Sequence, residues 1–380
     1  MKLVKKYLPL LFALVIFNSC SVILNFQDLP DTKGEYIIGT DVFMWEDTYR
    51  DEWFTKDKID TRKIVVQIWY PASEKSDSLY PYMDNANLRI ESIAKRIDKS
   101  KTFVKPISSV EGNSFYKAKP IDKKFPLIIF SHGLGGYKTQ NSINIEALVS
   151  KGYIVIAPDH TYDATITIFP DGTTADFKAG LPHNASEDEF WKNRIPQLNT
   201  RASDISFIID KLQTMKNYDV YNSIEFNKIG VFGHSFGGAT SIVSSWNDTR
   251  ISACLNLDGW MVPIVDEIIN TGLKIPFCYV GQEQWGDPPI NYNRLDTFYK
   301  NCGSDAYLLK IKGTHHFDYA DMPHFSKVGR MIASGKNVDK YFATKLSYMI
   351  VGFFDEYLKN QPYDWTEEII TKYETSIKFK

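Results

Sequence analysis

Ser235 stands in Gly233-His234-Ser235-Phe236-Gly237-Gly238, between the apolar run Lys228-Ile229-Gly230-Val231-Phe232 and the helix-like Ala239-Thr240-Ser241-Ile242-Val243. The G-x-S-x-G spacing after a strand and before a helix marks a nucleophile elbow, a tight turn that exposes the serine hydroxyl. Its glycines are a steric requirement. The turn brings its backbone so close to neighbouring chain that positions two before and two after the serine have no room for a side chain. Gly233 and Gly237 meet that requirement. The chemistry this predicts is acyl transfer through Ser235. A serine hydroxyl is a weak nucleophile, so it needs a general base, an acid that orients the base, and donors for the oxyanion.

Each of those roles has candidates. Gly313-Thr314-His315-His316-Phe317-Asp318 follows the strand-like Tyr307 to Ile311, and one of its two histidines is expected to be the base. The other five, His132, His160, His183, His234 and His324, read as structural or surface groups, with His132 and His234 near the site by adjacency to its motifs. Leu257-Asp258-Gly259-Trp260 ends the strand after the elbow helix. Asp258 would therefore project from a strand's carboxyl end, where open α/β sheets place ligands, and it is the preferred acid. Glu283 and Asp287, after the next strand, are its rivals, and a turn aspartate before glycine is the bland alternative. For the oxyanion, the residue after the nucleophile, Phe236, supplies one backbone N–H. The run Leu127 to Phe130 leads into Ser131-His132-Gly133-Leu134-Gly135-Gly136, so the Leu134 N–H is the best second donor. A phosphate-cradling loop is set aside because no G-K-[ST] follows these glycines.

The elements that must carry these residues alternate along the chain. β-rich runs at Ile64 to Tyr70, Leu127 to Phe130, Tyr153 to Ala157, Lys228 to Phe232, Ala253 to Leu257, Phe277 to Val280 and Tyr307 to Ile311 recur between helix-like segments. That alternation predicts an α/β fold, a mostly parallel central sheet with helices on both faces. Helical periodicity is plainest from Arg201 to Met215 and from Lys340 to Leu358, before the stop Asn360-Gln361-Pro362. Polar stretches at residues 73–124 and 161–195 interrupt the pattern and are the natural places for a cap or rim, with ordinary surface excursions as the equal alternative. No internal repeat or low-complexity tract is present, and residues 21–380 are read as one domain after an N-terminal lead, although about 150 residues per domain would suggest two.

Lys2, Lys5 and Lys6 precede an apolar stretch, Leu8 to Phe17, shorter than the roughly 20 residues a membrane-spanning helix needs. Residues 1–20 are therefore expected to be an export signal. In Phe17-Asn18-Ser19-Cys20-Ser21 a small residue precedes a cysteine, which resembles the lipobox of bacterial lipoproteins. The expectation is a cell-envelope protein held to the membrane by a lipid on Cys20, with unlipidated cleavage as the alternative. Cys254, Cys278 and Cys302 remain, an odd number without metal-ligand spacing. No disulfide framework, zinc site or other metal is expected, and Cys254 and Cys278 sit in apolar runs suited to core packing. A net charge of -2 without basic blocks argues against a nucleic-acid partner.

Taken together, five motifs in order resemble the secreted and lipoprotein-associated type of platelet-activating factor acetylhydrolase, a calcium-independent phospholipase A2. They are Phe130 to Gly136, Asn193-Arg194 with Arg201-Ala202, Gly233 to Thr240, Leu257 to Met261, and Gly313 to His316 with Tyr319-Ala320-Asp321. The resemblance runs from about Ile64 to Leu358. It implies an α/β-hydrolase fold, with Ser235 as nucleophile, Asp258 rather than Glu283 or Asp287 as acid, and His316 rather than His315 as base. It also implies that the Leu134 and Phe236 amides hold the oxyanion, that no cofactor is needed, and that the substrate is a short or truncated sn-2 acyl ester of a phospholipid. Trp260, Met261, Trp285, Phe317 and Tyr319 flank these motifs, Trp260 and Phe317 being the candidates for substrate contact, although core packing is the commoner fate of such side chains. A broad-specificity carboxylesterase and a non-catalytic lipid- or glycan-binding envelope protein on the same scaffold are the alternative readings.

Overall fold

The computed structural model describes residues 26–57, 59–182, 184–285 and 289–380. The expected export signal with Cys20, and also His183 and Asp287, lie outside them. Thirteen strands are present among these residues: β1 (Ile37–Asp51), β2 (Thr61–Ala72), β3 (Leu79–Pro81), β4 (Glu111–Tyr116), β5 (Phe125–Ser131), β6 (Ile154–Asp159), β7 (Ile166–Ile168), β8 (Thr174–Asp176), β9 (Ile224–His234), β10 (Ile251–Leu257), β11 (Phe277–Gln282), β12 (Ala306–Ile311) and β13 (Thr375–Phe379). Eleven of them form one sheet in the order β13-β12-β11-β10-β9-β5-β6-β2-β1-β4-β3, and β7 pairs with β8 apart from it. From β6 through β5, β9, β10 and β11 to β12 every neighbouring pair is parallel. β2 and β1 extend the block antiparallel on one side, and β13 pairs antiparallel with β12 on the other.

The parallel strands are apolar without alternation, because both faces of the sheet are covered. Every residue of β5 and β6 is buried. The covering helices include α1 (Ala86–Arg96), α2 (Ser142–Ser150), α3 (Glu187–Thr214), α4 (Phe236–Asn247), α5 (Ile290–Asn301) and α6 (Phe342–Lys359). On one face Leu148 and Val149 of α2 and Leu346, Ile350 and Phe354 of α6 pack with Phe232 and Leu255. On the other, Ile205 and Ile209 of α3, Ile242 of α4 and Phe298 of α5 pack with Ile129 and Val231. Cys254, Cys278 and Cys302 are buried and unpaired.

The two polar stretches are more ordered than their composition suggests. Residues 73–124 contain β3, α1 and β4, and Tyr82, Met83, Ile90 and Ile93 make a third apolar cluster with Tyr137 and Ile143. Residues 161–195 contain the β7–β8 pair and the opening turns of α3, which starts at Glu187, well before the predicted Arg201. The early start rests on a capping box between Ser186 and Glu189, while Pro196 within the helix and the charges of its first turn obscure the period. β1, long and carrying Asp41, Glu46 and Asp47, falls in what reads from sequence as a lead.

A buried ionic cluster ties β2 to α3. Arg62 donates to Glu52 at 2.8 Å and to both oxygens of Asp204, at 3.0 and 2.6 Å. Removing one member of a buried ion network strands the others without solvent, which costs about 3–5 kcal/mol. Arg62→Met, which strips Glu52 of its ion-pair partner and leaves Asp204 with only Arg50 and His160, is expected to lower unfolding stability by that amount in urea titrations followed by circular dichroism.

Candidate active site

Ser235 stands between β9 and α4, capping the helix, with φ 58° and ψ −119°, a region that side-chain-bearing residues avoid. The conformation is held by backbone bonds: Ser235 N–H donates to Leu257 O at 3.0 Å, and Trp260 N–H donates to Ser235 O at 2.9 Å. The flanking glycines are required by contact rather than by torsion. A Cβ on Gly237 would lie 1.9 Å from Ser131 O, and one on Gly233 would lie 2.2 Å from Gly237 O. Both obstacles are backbone atoms and cannot swing aside.

The loop after β12 brings His316, not His315, to the serine. His316 Nε2 lies 2.9 Å from Ser235 Oγ, and His316 Nδ1 lies 2.6 Å from Asp258 Oδ2. His315 is exposed, and its N–H bonds Asp318. Glu283 is exposed and makes no hydrogen bond to His316. Asp258 leaves β10 at a positive φ of 44°, which aspartate tolerates better than most side chains. Its buried carboxylate accepts from Gln282 N–H at 2.9 Å, Gln282 Nε2 at 2.8 Å, Trp285 Nε1 at 2.8 Å and Tyr279 Oη at 3.2 Å. An ionised carboxylate accepts only, so it draws the Nδ1 proton of His316 and leaves Nε2 free to accept from the serine hydroxyl.

Beside the serine, the loop after β5 is tied down on nearly every polar atom. Gly133 O accepts from Gly136 N–H at 2.9 Å and lies 2.7 Å from His132 Nδ1. Leu134 O accepts from Arg96 at 3.1 Å, Gly135 N–H donates to Asp163 O at 2.9 Å, and Arg201 donates to His132 O at 2.7 Å. Among the described residues, the N–H groups of Leu134 and Phe236 have no protein acceptor. Two unoccupied donors beside a serine hydroxyl can receive an anionic oxygen.

Four of the histidines read as structural are buried. His132 is held well below its ordinary pKa by burial and by the Arg201 guanidinium, and His234 by burial and the neighbouring His316. His160 Nδ1 donates to Asp204 and its Nε2 accepts from Ser131 Oγ, each at 2.8 Å, and burial with Arg201 nearby lowers it to about 4. Of the flanking aromatic and thioether side chains, Met261 and Tyr319 are core, and Trp285 is bonded to Asp258. Phe317 is 61% exposed with its ring 5.6 Å from that of His316. Trp260 is half-buried, 5.9 Å from the Phe236 ring and 5.5 Å from the Arg194 guanidinium. Sequence reading passed over Gln282, Tyr279, Arg96 and Gln140, whose partners Asp258, Leu134 and His234 lie far along the chain. Among the described residues no cluster of three His, Cys, Asp or Glu side chains is placed to hold a metal ion.

A parallel sheet in this strand order, with an elbow serine at the end of its central strand and a late histidine loop, defines an α/β-hydrolase fold. The fold is shared with the ferulic acid esterase from Streptomyces cinnamoneus, with a TM-score of 0.76 at 22% identity over 93% of this chain and 99% of that one. Within that class the chain belongs to the family described as platelet-activating factor acetylhydrolase, isoform II, whose model matches residues 23–377. It is 28% identical over 264 residues to the platelet-activating factor acetylhydrolase of Cavia porcellus, covering 62% of this chain and 58% of that protein. Against the protein of the same name from Bos taurus it is 31% identical over 252 residues, covering 59% and 55%. The match thus spans little more than half the length of these relatives.

The low pKa of His160 sets the direction of a stability test. Its ordinary value of 6.5 holds in the unfolded chain, so between 6.5 and about 4 the unfolded state takes a proton that the folded state refuses. Folding stability owed to this group is complete above pH 6.5 and declines as the pH falls toward 4. The destabilisation caused by His160→Gln is therefore expected to shrink across that window, measured as the difference between wild-type and variant urea midpoints. A difference that grew on acidification would contradict it.

Proposed function

We propose that the protein is a serine ester hydrolase that cleaves short or truncated sn-2 acyl esters of phospholipids through Ser235, His316 and Asp258. The observation that carries this reading is the hydrogen-bonded chain from Ser235 Oγ through His316 to Asp258, beside two N–H groups without acceptors. Ser235 Oγ attacks the ester carbonyl carbon as its proton passes to His316 Nε2. The carbonyl oxygen takes the negative charge and accepts from the Leu134 and Phe236 amides. Collapse of that intermediate breaks the ester bond, and His316 returns the proton to the departing alcohol. Water, deprotonated by the same imidazole, then attacks the acyl-serine and releases the carboxylate. Asp258 holds the imidazole in the required tautomer and balances its transient positive charge, with Gln282, Trp285 and Tyr279 fixing the carboxylate.

The phospholipid substrate is supported by family membership and by the names of the relatives. Trp260 and Phe317 are the proposed substrate contacts, supported by their placement beside Phe236 and His316. The proposal includes export to a bacterial envelope and a lipid on Cys20, supported by the Ser19-Cys20 pair after an apolar stretch. Cys20→Ala is expected to move the protein from the membrane fraction to the soluble fraction.

Ser235→Ala is expected to lower kcat by a thousandfold or more, on the order seen when a triad member is removed, with the melting temperature unchanged. Asp258→Asn is expected to be comparably severe because it presents the wrong partner to Nδ1. Both are read by hydrolysis of an sn-2 acetyl glycerophosphocholine, a long-chain phosphatidylcholine and a short p-nitrophenyl ester, without calcium. Serine-dependent cleavage of the acetyl lipid but not the long-chain one supports the reading. Cleavage of the p-nitrophenyl ester alone makes the protein a general carboxylesterase, and full activity in Ser235→Ala overturns the mechanism.

A further inference from the structure

We infer that Gln140 and His234 are positioning residues, a carboxamide–imidazole strut that fixes the loop carrying Leu134 to the loop carrying His316. The inference rests on the roles proposed above for Ser235, His316 and Leu134. Its three hydrogen bonds have only one consistent set of directions. Gly133 N–H lies 3.0 Å from Gln140 Oε1, and a backbone N–H only donates, so that end of the carboxamide is the oxygen. The other end, 2.8 Å from His234 Nδ1, is then the amino group, and Nδ1 accepts and carries no proton. The neutral ring keeps its proton on Nε2, which lies 2.9 Å from the carbonyl oxygen of His316. One continuous path thus runs from the backbone of the oxyanion loop to the backbone of the base.

Packing around the strut is consistent with that assignment. A Cβ on Gly133 would sit 3.2 Å from His234 Nδ1 and 3.4 Å from Ser235 Cβ, so the loop rests directly on the elbow. Gly136 leaves the space that the carboxamide occupies: a Cβ there would lie 2.0 Å from Gln140 Oε1. The same segment is tied to the histidine loop twice more, by Asp321 N–H to Gln140 O at 3.0 Å and by Asn141 Nδ2 to Tyr319 O at 2.7 Å. The titratable group facing His234 is His316, with ring centroids 4.6 Å apart. When His316 takes the serine proton it becomes a cation, and a neighbour fixed as the neutral Nε2–H tautomer adds no second positive charge beside it.

The strut sets the distance between the Gly133–Leu134 peptide, whose N–H receives the oxyanion, and the imidazole that moves the proton. A displacement of the reacting groups by about 1 Å costs about a hundredfold in rate. Four variants of the full chain test it with the p-nitrophenyl ester. Gln140→Leu removes both of its bonds, and Gly136→Ala expels the carboxamide while leaving Gln140 in the sequence. Each is expected to lower kcat by about ten- to a hundredfold with KM nearly unchanged. His234→Gln, whose amide can still donate to the His316 carbonyl, is expected to retain more activity than His234→Phe, which preserves the ring. A packing role alone gives the reverse order.

A spectroscopic readout guards against misfolding. Two-bond nitrogen–proton spectra of the wild-type imidazoles are expected to show a histidine that stays in the neutral Nε2–H form from mildly acidic to mildly basic pH and is lost in His234→Gln. Wild-type kcat in Gln140→Leu and Gly136→Ala, or an Nδ1–H tautomer for His234, would overturn the strut. If Ser235→Ala is inactive in the same assay, the proposed mechanism survives that failure, and if Ser235→Ala remains active the mechanism itself is lost.

Discussion

The backbone of Ser235 is the constraint on which the rest of the molecule turns. A side-chain-bearing residue at φ 58° and ψ −119° is strained by roughly 1–3 kcal/mol, so its surroundings must hold it there. They do so through atoms that belong to neighbouring parallel strands. β10 receives the Ser235 N–H through Leu257 O, and β5 presents Ser131 O to the space where Gly237 has no Cβ. The carboxyl ends of β5, β9 and β10 therefore meet at one point. The glycine-rich loop leaves from the first, the serine from the second and Asp258 from the third, and this common departure point is what a parallel sheet supplies.

Much of the polar chemistry in the molecule serves that geometry without facing substrate. Arg201 and the His132 ring bond the backbone of the loop after β5, and Arg62, Asp204 and His160 tie β2 and α3 to the end of β5. Three of the four described histidines outside the histidine loop, His132, His160 and His234, lie within two bonds of the serine or the loop beside it. All are kept uncharged chiefly by burial. The only partly exposed imidazole in this group of contacts is that of His316, between Asp258 and Ser235. Desolvated neutral rings give fixed donors and acceptors.

What was legible in sequence was what depends on local spacing. Gly233, Ser235 and Gly237 announce the elbow because the steric demand lies within five residues, and the seven β-rich runs announce the sheet because burial on both faces makes them uniformly apolar. His316 could not be separated from His315 by residue type alone, since only the path of the loop decides which ring turns inward. Gln140, Gln282 and Arg62 gave no signal, because each acts on residues far along the chain: Gln140 on His234, Gln282 on Asp258, Arg62 on Asp204. β1 was hidden by its acidic residues, and the opening of α3 by Pro196 and the charges that suit a helix N-terminus.

The three buried cysteines behave differently in the folded and unfolded chain. Burial pushes the Cys254 thiol up to about 12, holds Cys278 well above its ordinary range and raises Cys302. A thiol kept protonated and out of solvent neither alkylates nor exchanges with disulfides, so the native molecule is chemically silent toward oxidants at these positions. Once the chain opens, the same sulfurs regain ordinary acidity and access. In air, unfolding then competes with intermolecular disulfide formation, which would make heat inactivation a one-way process whose rate falls when a reductant is present.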